Sequence, residues 1–207
     1  MAPKPLTSRP LDLIYVIFFV VHLVISLSID LLPLWPAWAQ NFPGLNLVYR
    51  LLMDVVEDYK TKSNDPFILA TWNLVKHDWE FYFMKVFMVM EVLIQIPAFI
   101  IGTYGLRKNT PLVYPLLLCY ASAALVTTTT VFFVSVNLPS ANDTSLDATS
   151  KFYALTDEGR RTILGPIIPF LLIPAVMWVD MLIRVTSLVS AGIQKTATAG
   201  KTGKKEL

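Results

Sequence analysis

The sequence predicts an all-α membrane protein, a bundle of four transmembrane helices with an amphipathic helix at one end. Three observations predict it. Hydrophobic residues make up 55% of the 207 positions and charged residues 15%, with a mean hydropathy of +0.56; one aqueous core cannot hide that much apolar surface. Four stretches reach the roughly 20 apolar residues needed to cross about 30 Å of hydrocarbon at 1.5 Å per residue. Lysine and arginine gather at both chain ends and in one short turn, as they do on a single side of a membrane.

The first stretch, residues 11–32, reads LDLIYVIFFVVHLVISLSIDLL. It is longer than the apolar region of a cleaved leader and no A-x-A site follows, so it reads as a retained helix behind a short N-terminal segment, residues 1–10. In the next loop Leu45, Val48, Leu51, Leu52, Val55, Val56 and Tyr59 recur at helical spacing, with Arg50, Asp54, Glu57 and Lys60 between them. That pattern is an amphipathic helix, lying on the membrane interface or capping the bundle. Then comes KSNDPF, where Asn64 or Asp65 suits a helix cap and Pro66 a first turn. The helix it starts carries Trp72 and Trp79 at interface height and leads into the second span, residues 81–106. Arg107 and Lys108 form the turn to the third span, residues 111–136. The polar stretch NLPSANDTSLDATSKF leads to the fourth span, residues 163–189. The membrane domain is thus residues 11–189. The tail, residues 190–207, holds Gly, Thr, Ala and Lys and is expected to be disordered.

Lys4 and Arg9, the Arg107–Lys108 turn, and Arg184 with the tail lysines all fall on one side if the spans are four. That side is expected to be the cytosol, which puts both termini there and the first and third loops in the lumen. The one N-x-[ST] sequon, Asn142-Asp143-Thr144, lies in the third loop and agrees. Net charge is only +2 and no basic stripe is present, which argues against nucleic acid. Cys119 is the one cysteine, and His22 and His77 are isolated, so no intrachain disulfide, metal site or cofactor is expected.

Chemistry enters with the acids that sit far from the span ends: Asp30, Glu91 and Asp180. An intramembrane carboxylate costs about 2.5 kcal/mol or more on insertion scales, so each should face the bundle and find a partner. Asp180 is one turn from Arg184 and pairs with it most simply. Helix one runs toward the lumen with Asp30 near its end. Helix two runs away from it with Glu91 about 15 Å in. The two acids are therefore expected to meet, sharing a proton. A pair carrying about one negative charge in an apolar cavity suits a ligand with one ammonium group and a greasy body. His22, Ser26 and Asp30 follow at spacings of four. Gln95 is a turn beyond Glu91, and Thr127 to Thr130 supply hydroxyls that also serve helix–helix hydrogen bonds. Pro97 in helix two and Pro166, Pro169 and Pro174 in helix four are expected to bend their helices around the pocket.

At these residues the sequence resembles the sigma-2 receptor, or transmembrane protein 97, family within the EXPERA-domain superfamily. The likeness is carried by EVLIQIPAFIIGTYGL (Glu91 to Leu106), by PFLLIP (169–174), by His22 and Asp30 eight residues apart, and by Asp65-Pro66. The resemblance implies a four-helix endoplasmic-reticulum protein with cytosolic termini. It implies a ligand site at Asp30, Glu91, His22, Gln95, Thr103 and Tyr104, with Asp65, Pro97 and Pro174 structural. Asp30 would pair with a ligand amine and Glu91 would be its neighbouring acid. The long first loop and charged tail look more like the family's fungal branch, which includes the efficient mitochondria targeting-associated protein 19. Phe170 and Ile167 stand near the family's helix-four tyrosines, and Asp180 where an apolar residue is usual.

The reading is a non-enzymatic protein that binds a sterol or amphipathic amine. Its role would lie in sterol and lipid homeostasis or in handling membrane and mitochondrial precursor proteins. The bilayer is a partner, and membrane-protein partners or a homodimer stay open. The alternative is a sterol Δ8–Δ7 isomerase like the emopamil-binding protein, with Asp30, Glu91 and an aromatic such as Trp178 or Tyr104 as acid, base and carbocation stabiliser. Lys204 and Lys205, four and three residues from the C-terminus, resemble the dilysine retrieval signal of endoplasmic-reticulum membrane proteins.

Overall fold

The computed structural model describes residues 4–72 and 81–202. His77, Trp79, Lys204 and Lys205 lie outside the described residues. Within them the chain is helical, with one isolated bridge pairing Ser140 and Leu155. Four helices are long and apolar enough to span a bilayer: α1 (Pro10–Asp30), α5 (Phe83–Arg107), α6 (Pro111–Asn137) and α8 (Asp157–Thr202). Between the first two lie α2 (Ala37–Asn41), α3 (Leu45–Ser63) and α4 (Pro66–Thr71). The short α7 (Ala148–Phe152) precedes α8. Proline opens α1, α4 and α6, where its missing N–H would be unpaired anyway.

Helix α1 packs along the second half of α5, and α6 packs along α8. Their inward faces build the main core from Tyr15, Phe19, Phe99, Leu117, Tyr120, Met177 and Met181. Phe19 and Tyr120 meet edge to face at 5.2 Å between ring centroids, a favoured aromatic geometry. Gly102 permits this closeness. A Cβ there would lie 2.7 Å from a Leu117 methyl and 2.8 Å from the Phe19 ring. Outward-facing Ile17, Val24, Ile101 and Leu172 are exposed. That arrangement would be unfavourable in water and is what a lipid-facing belt requires.

The end of the bundle that carries α2–α4 and α7 is knitted together by polar contacts. A second core of Phe67, Phe81, Tyr153, Leu155 and Ile163 lies there. Asn64 takes the left-handed conformation that closes α3. Its side-chain amide donates to Phe152 O at 3.2 Å. Arg160 in the first turn of α8 donates to Ser135 O, Val136 O and Leu138 O at 2.7–2.8 Å. It thereby satisfies carbonyls that the end of α6 leaves open.

At the opposite end Asp12 is buried between Arg9 and Arg184. Arg184 Nη1 lies 2.7 Å from Asp12, and the same guanidinium holds Asp180 at 2.8–3.0 Å. Arg9 also donates to Leu106 O at 2.9 Å. Asp180 thus has the partner its spacing predicts. Asp12, set close to a span end in the sequence, turns out to be the more deeply buried acid, and it ties the start of α1 to α8.

The expectation for the end of α8 changes, and its prolines leave the helical run unbroken. The helix passes through Pro166, Pro169 and Pro174 without interruption. Each proline lacks one N–H, but the helix keeps its remaining bonds. Nor does it stop near residue 190: its backbone is helical to Thr202, a length of about 70 Å at 1.5 Å per residue. Ala191, Gln194, Lys195 and Ala197 are good helix formers. Composition signalled the lack of a core, and those side chains are indeed exposed. A helix already nucleated in the membrane needs no core to propagate.

Candidate functional site

The capped half of the bundle holds a partly open cavity of about 450 Å³, within the range of small-molecule sites. All four spans contribute walls, and α3 and α4 close one end. Its lining is mostly apolar, with Met84, Phe87, Val131 and Phe170 among the wall residues. Into this surface project Asp30 from α1 and Glu91 and Gln95 from α5. The two acids face each other closely enough to interact directly, with the Ser26 hydroxyl beside Glu91.

Backbone geometry places them. Helix α1 ends in a widened turn, Ser26–Asp30, where Leu31 N–H bonds Ser26 O, five residues back. Helix α5 contains the matching feature at Glu91–Gln95, where Ile96 N–H bonds Glu91 O. Such π-turns add a residue to the helical turn, rotate the residues beyond it, and recur at functional sites. Each lies shortly before a proline, Pro33 and Pro97. The proline lacks the N–H for the ordinary bond and crowds the carbonyl four residues earlier. Pro97 therefore acts here by widening the turn that carries Glu91. Pro174 is buried in α8.

Several buried polar atoms in this region have no hydrogen-bond partner among the described residues: Ser26 Oγ, Glu91 Oε1, His22 Nδ1 and Tyr120 Oη. Buried polar atoms are ordinarily paired; of these residues His22 and Glu91 line the cavity, where a polar guest would satisfy them. His22 lies among three aromatic rings, with centroids of Phe18, Phe99 and Phe170 at 5.3, 4.6 and 4.6 Å. Thr127 is buried and borders the cavity, but its hydroxyl bonds Ala124 O on its own helix at 3.1 Å.

Asp65 sits at the cavity's capped end and holds the start of α4. Its Oδ1 accepts from Phe67 N–H at 2.9 Å, and its Oδ2 accepts from the Tyr59 hydroxyl at 2.7 Å. Burial pushes its carboxyl above the ordinary range, while the Tyr59 and backbone hydrogen bonds pull the other way. Tyr59 lines the cavity from α3; burial, and next the Asp65 carboxylate, push its phenol up, so it stays a donor.

Thr103 and Tyr104 are not in the cavity wall. They lie twelve and thirteen residues beyond Glu91, about 18 Å further along the helix. Thr103 is half-buried and Tyr104 is exposed, with Lys108 over its ring at 5.9 Å. Trp178 also stays outside, donating its indole N–H to Ser122 at 3.0 Å. Among the described residues the cavity's aromatic side chains, besides His22, are instead Tyr59, Phe67, Trp72, Phe87 and Phe170. Sequence reasoning left out Tyr120, whose hydroxyl lies near Glu91. A tyrosine among small residues in the run CYASAAL was its available signal.

The family model for EBP, described as EXPERA (EXPanded EBP superfamily), matches residues 51–181, more than half of the chain. The chain belongs to the EXPERA family. None of the curated proteins matches it. In this EXPERA bundle the family match takes in Asp65, Glu91, Gln95 and Phe170 but not His22 or Asp30. The acid pair therefore joins a residue inside the matched region to one on α1, before it. The EXPERA assignment makes this a membrane protein of a superfamily compatible with sterol binding, which agrees with the apolar cavity walls.

Proposed function

We propose that this EXPERA protein binds a cationic amphiphile or sterol inside the membrane, in the manner of the sigma-2 receptor branch. The observation that carries the reading is Asp30 beside Glu91 in one apolar-walled cavity. With a proton shared between them, the pair offers about one negative charge to a ligand's ammonium group. The apolar walls take its hydrocarbon body. Asp30 is the counter-ion, Glu91 its hydrogen-bonding neighbour, and His22 and Gln95 supply further polar contacts. The protein resides in the endoplasmic-reticulum membrane with both termini cytosolic, where it serves lipid homeostasis or the handling of membrane and mitochondrial precursor proteins.

A second reading uses the same two acids. Paired carboxyl groups at the wall of an apolar cavity also suit a Δ8–Δ7 sterol isomerase, which adds a proton at one carbon and removes another elsewhere. Its carbocation would be faced by Phe87, Phe170 or Trp72, which line the cavity, and not by Trp178 or Tyr104. Purified protein in lipid nanodiscs, incubated with a Δ8 sterol, separates the readings. Saturable binding without Δ7 product supports the receptor reading; turnover abolished by Glu91→Gln supports the isomerase.

A further inference from the structure

The connection from α1 to α3 exposes a row of large apolar side chains that the bundle does not cover. Leu34, Trp38, Phe42, Leu47, Leu51 and Val55 are each 57–68% exposed. On α3 the four apolar residues Leu47, Val48, Leu51 and Val55 follow at helical spacing and share one side of its first three turns. The inward face, with Val56 buried, packs onto the bundle; Val55, at the edge of the exposed row, borders the cavity together with Val56 and Tyr59. Thus α3 is apolar over more of its circumference than the protein covers.

We propose that α2 and α3 lie in the bilayer interface and that lipid, rather than another protein, covers this row. Continuity decides the occupant. Along the chain the exposed row follows on from the exposed side chains Val24 and Leu27 of α1, through Leu34, to Trp38, a few residues past the end of the span, and tryptophan favours the membrane boundary. Charge decides the kind of lipid contact. On α3 Arg50, Lys60 and Lys62 balance Asp54, Glu57 and Asp58. Lys60 bonds Glu57 and Lys62 bonds Asp58, at 2.6 and 2.7 Å. The helix therefore has no net charge with which to seek anionic headgroups. Its attachment is apolar, with the row about 5–10 Å into the boundary of headgroups and acyl chains. One helix then meets bilayer on one side and cavity on the other, so the membrane supports a wall of the binding site.

The test uses the full chain with Cys119→Ser, placed in phosphatidylcholine nanodiscs. Single cysteines at Leu51, Val48 and Thr61 carry a polarity-sensitive fluorophore, and lipids spin-labelled near the headgroup act as quenchers. Leu51→Cys and Val48→Cys should be quenched several-fold more strongly than Thr61→Cys on the charged face. High salt should leave the quenching unchanged. Two apolar positions keep the test decisive if one variant misfolds. Equal quenching at all three positions overturns the proposal, as does quenching lost in high salt. Disulfide-linked dimers through Leu51→Cys, with weak quenching, would assign the row to a second copy of the chain and also overturn it.

Discussion

Replacing Arg160 tests how the capped end is held. Its guanidinium makes three contacts at 2.7–2.8 Å to the carbonyls of Ser135, Val136 and Leu138, and a longer one of 3.4 Å to Pro139. A hydrogen bond to a charged group contributes about 1.5–3 kcal/mol when buried. Arg160 is half-exposed, so water replaces part of each bond and about 1 kcal/mol apiece is the better figure. Arg160→Met keeps the aliphatic stem and should lose about 3 kcal/mol. Arg160→Lys keeps the charge but cannot fork, so it should lose about 2 kcal/mol. At 2–4 °C per kcal/mol for a chain of this size, the methionine variant should melt roughly 6–12 °C lower, with lysine between it and the parent. Thermal unfolding in detergent, followed by intrinsic tryptophan fluorescence, reads these values. Unchanged melting for Arg160→Met, or identical losses for Met and Lys, would refute the claim that the fork holds α6 to α8.

Three further outcomes come from the same geometry. Asp65→Ala removes a helix cap and leaves the Tyr59 hydroxyl unpaired, so thermal unfolding should show a loss of about 2–3 kcal/mol; Tyr59→Phe should lose about 1–2 kcal/mol. Arg184→Met strands Asp180 and leaves Asp12 with Arg9 alone, which should destabilise by about 3 kcal/mol, whereas Asp180→Asn should be milder because Arg184 keeps Asp12; equal denaturation midpoints would contradict this. For the tail, Lys204→Ser with Lys205→Ser should release the protein to later compartments in cells, and Lys195→Ser with Lys201→Ser should not, because a receptor reads position whereas electrostatics reads only charge.

The membrane architecture was legible because lipid makes length and hydropathy nearly sufficient: a helix must satisfy its own backbone and present hydrocarbon outward. The meeting of Asp30 and Glu91 was legible from depth alone, by counting rise per residue along two antiparallel helices. Other features depend on contacts between distant residues and left only partial traces. Asp12 drew no expectation because nothing nearby in sequence reveals Arg184 across the bundle. The π-turns were hidden because a proline in a helical run signals a bend and does not say whether the turn before it widens. Thr103 and Tyr104 belong to the same motif as Glu91, but a shared motif does not place residues about 18 Å apart along a helix in one pocket. Helix α3 presented an amphipathic pattern that could not distinguish a cap from an interfacial helix; the structure has it closing the cavity while leaving apolar side chains uncovered.

On the proposed function, Asp30 is the counter-ion of an intramembrane ligand site. The direct measurement is equilibrium binding of a fluorescent cationic amphiphile to the purified protein in nanodiscs, comparing the parent with Asp30→Asn and Glu91→Gln. Losing the counter-ion of a desolvated ammonium should cost about 2–5 kcal/mol, so Asp30→Asn should weaken binding roughly thirty-fold to several thousand-fold. Glu91→Gln, which preserves a hydrogen-bond donor, should weaken it much less. Undiminished affinity in Asp30→Asn, with the protein folded, would place the ligand elsewhere and contradict the account.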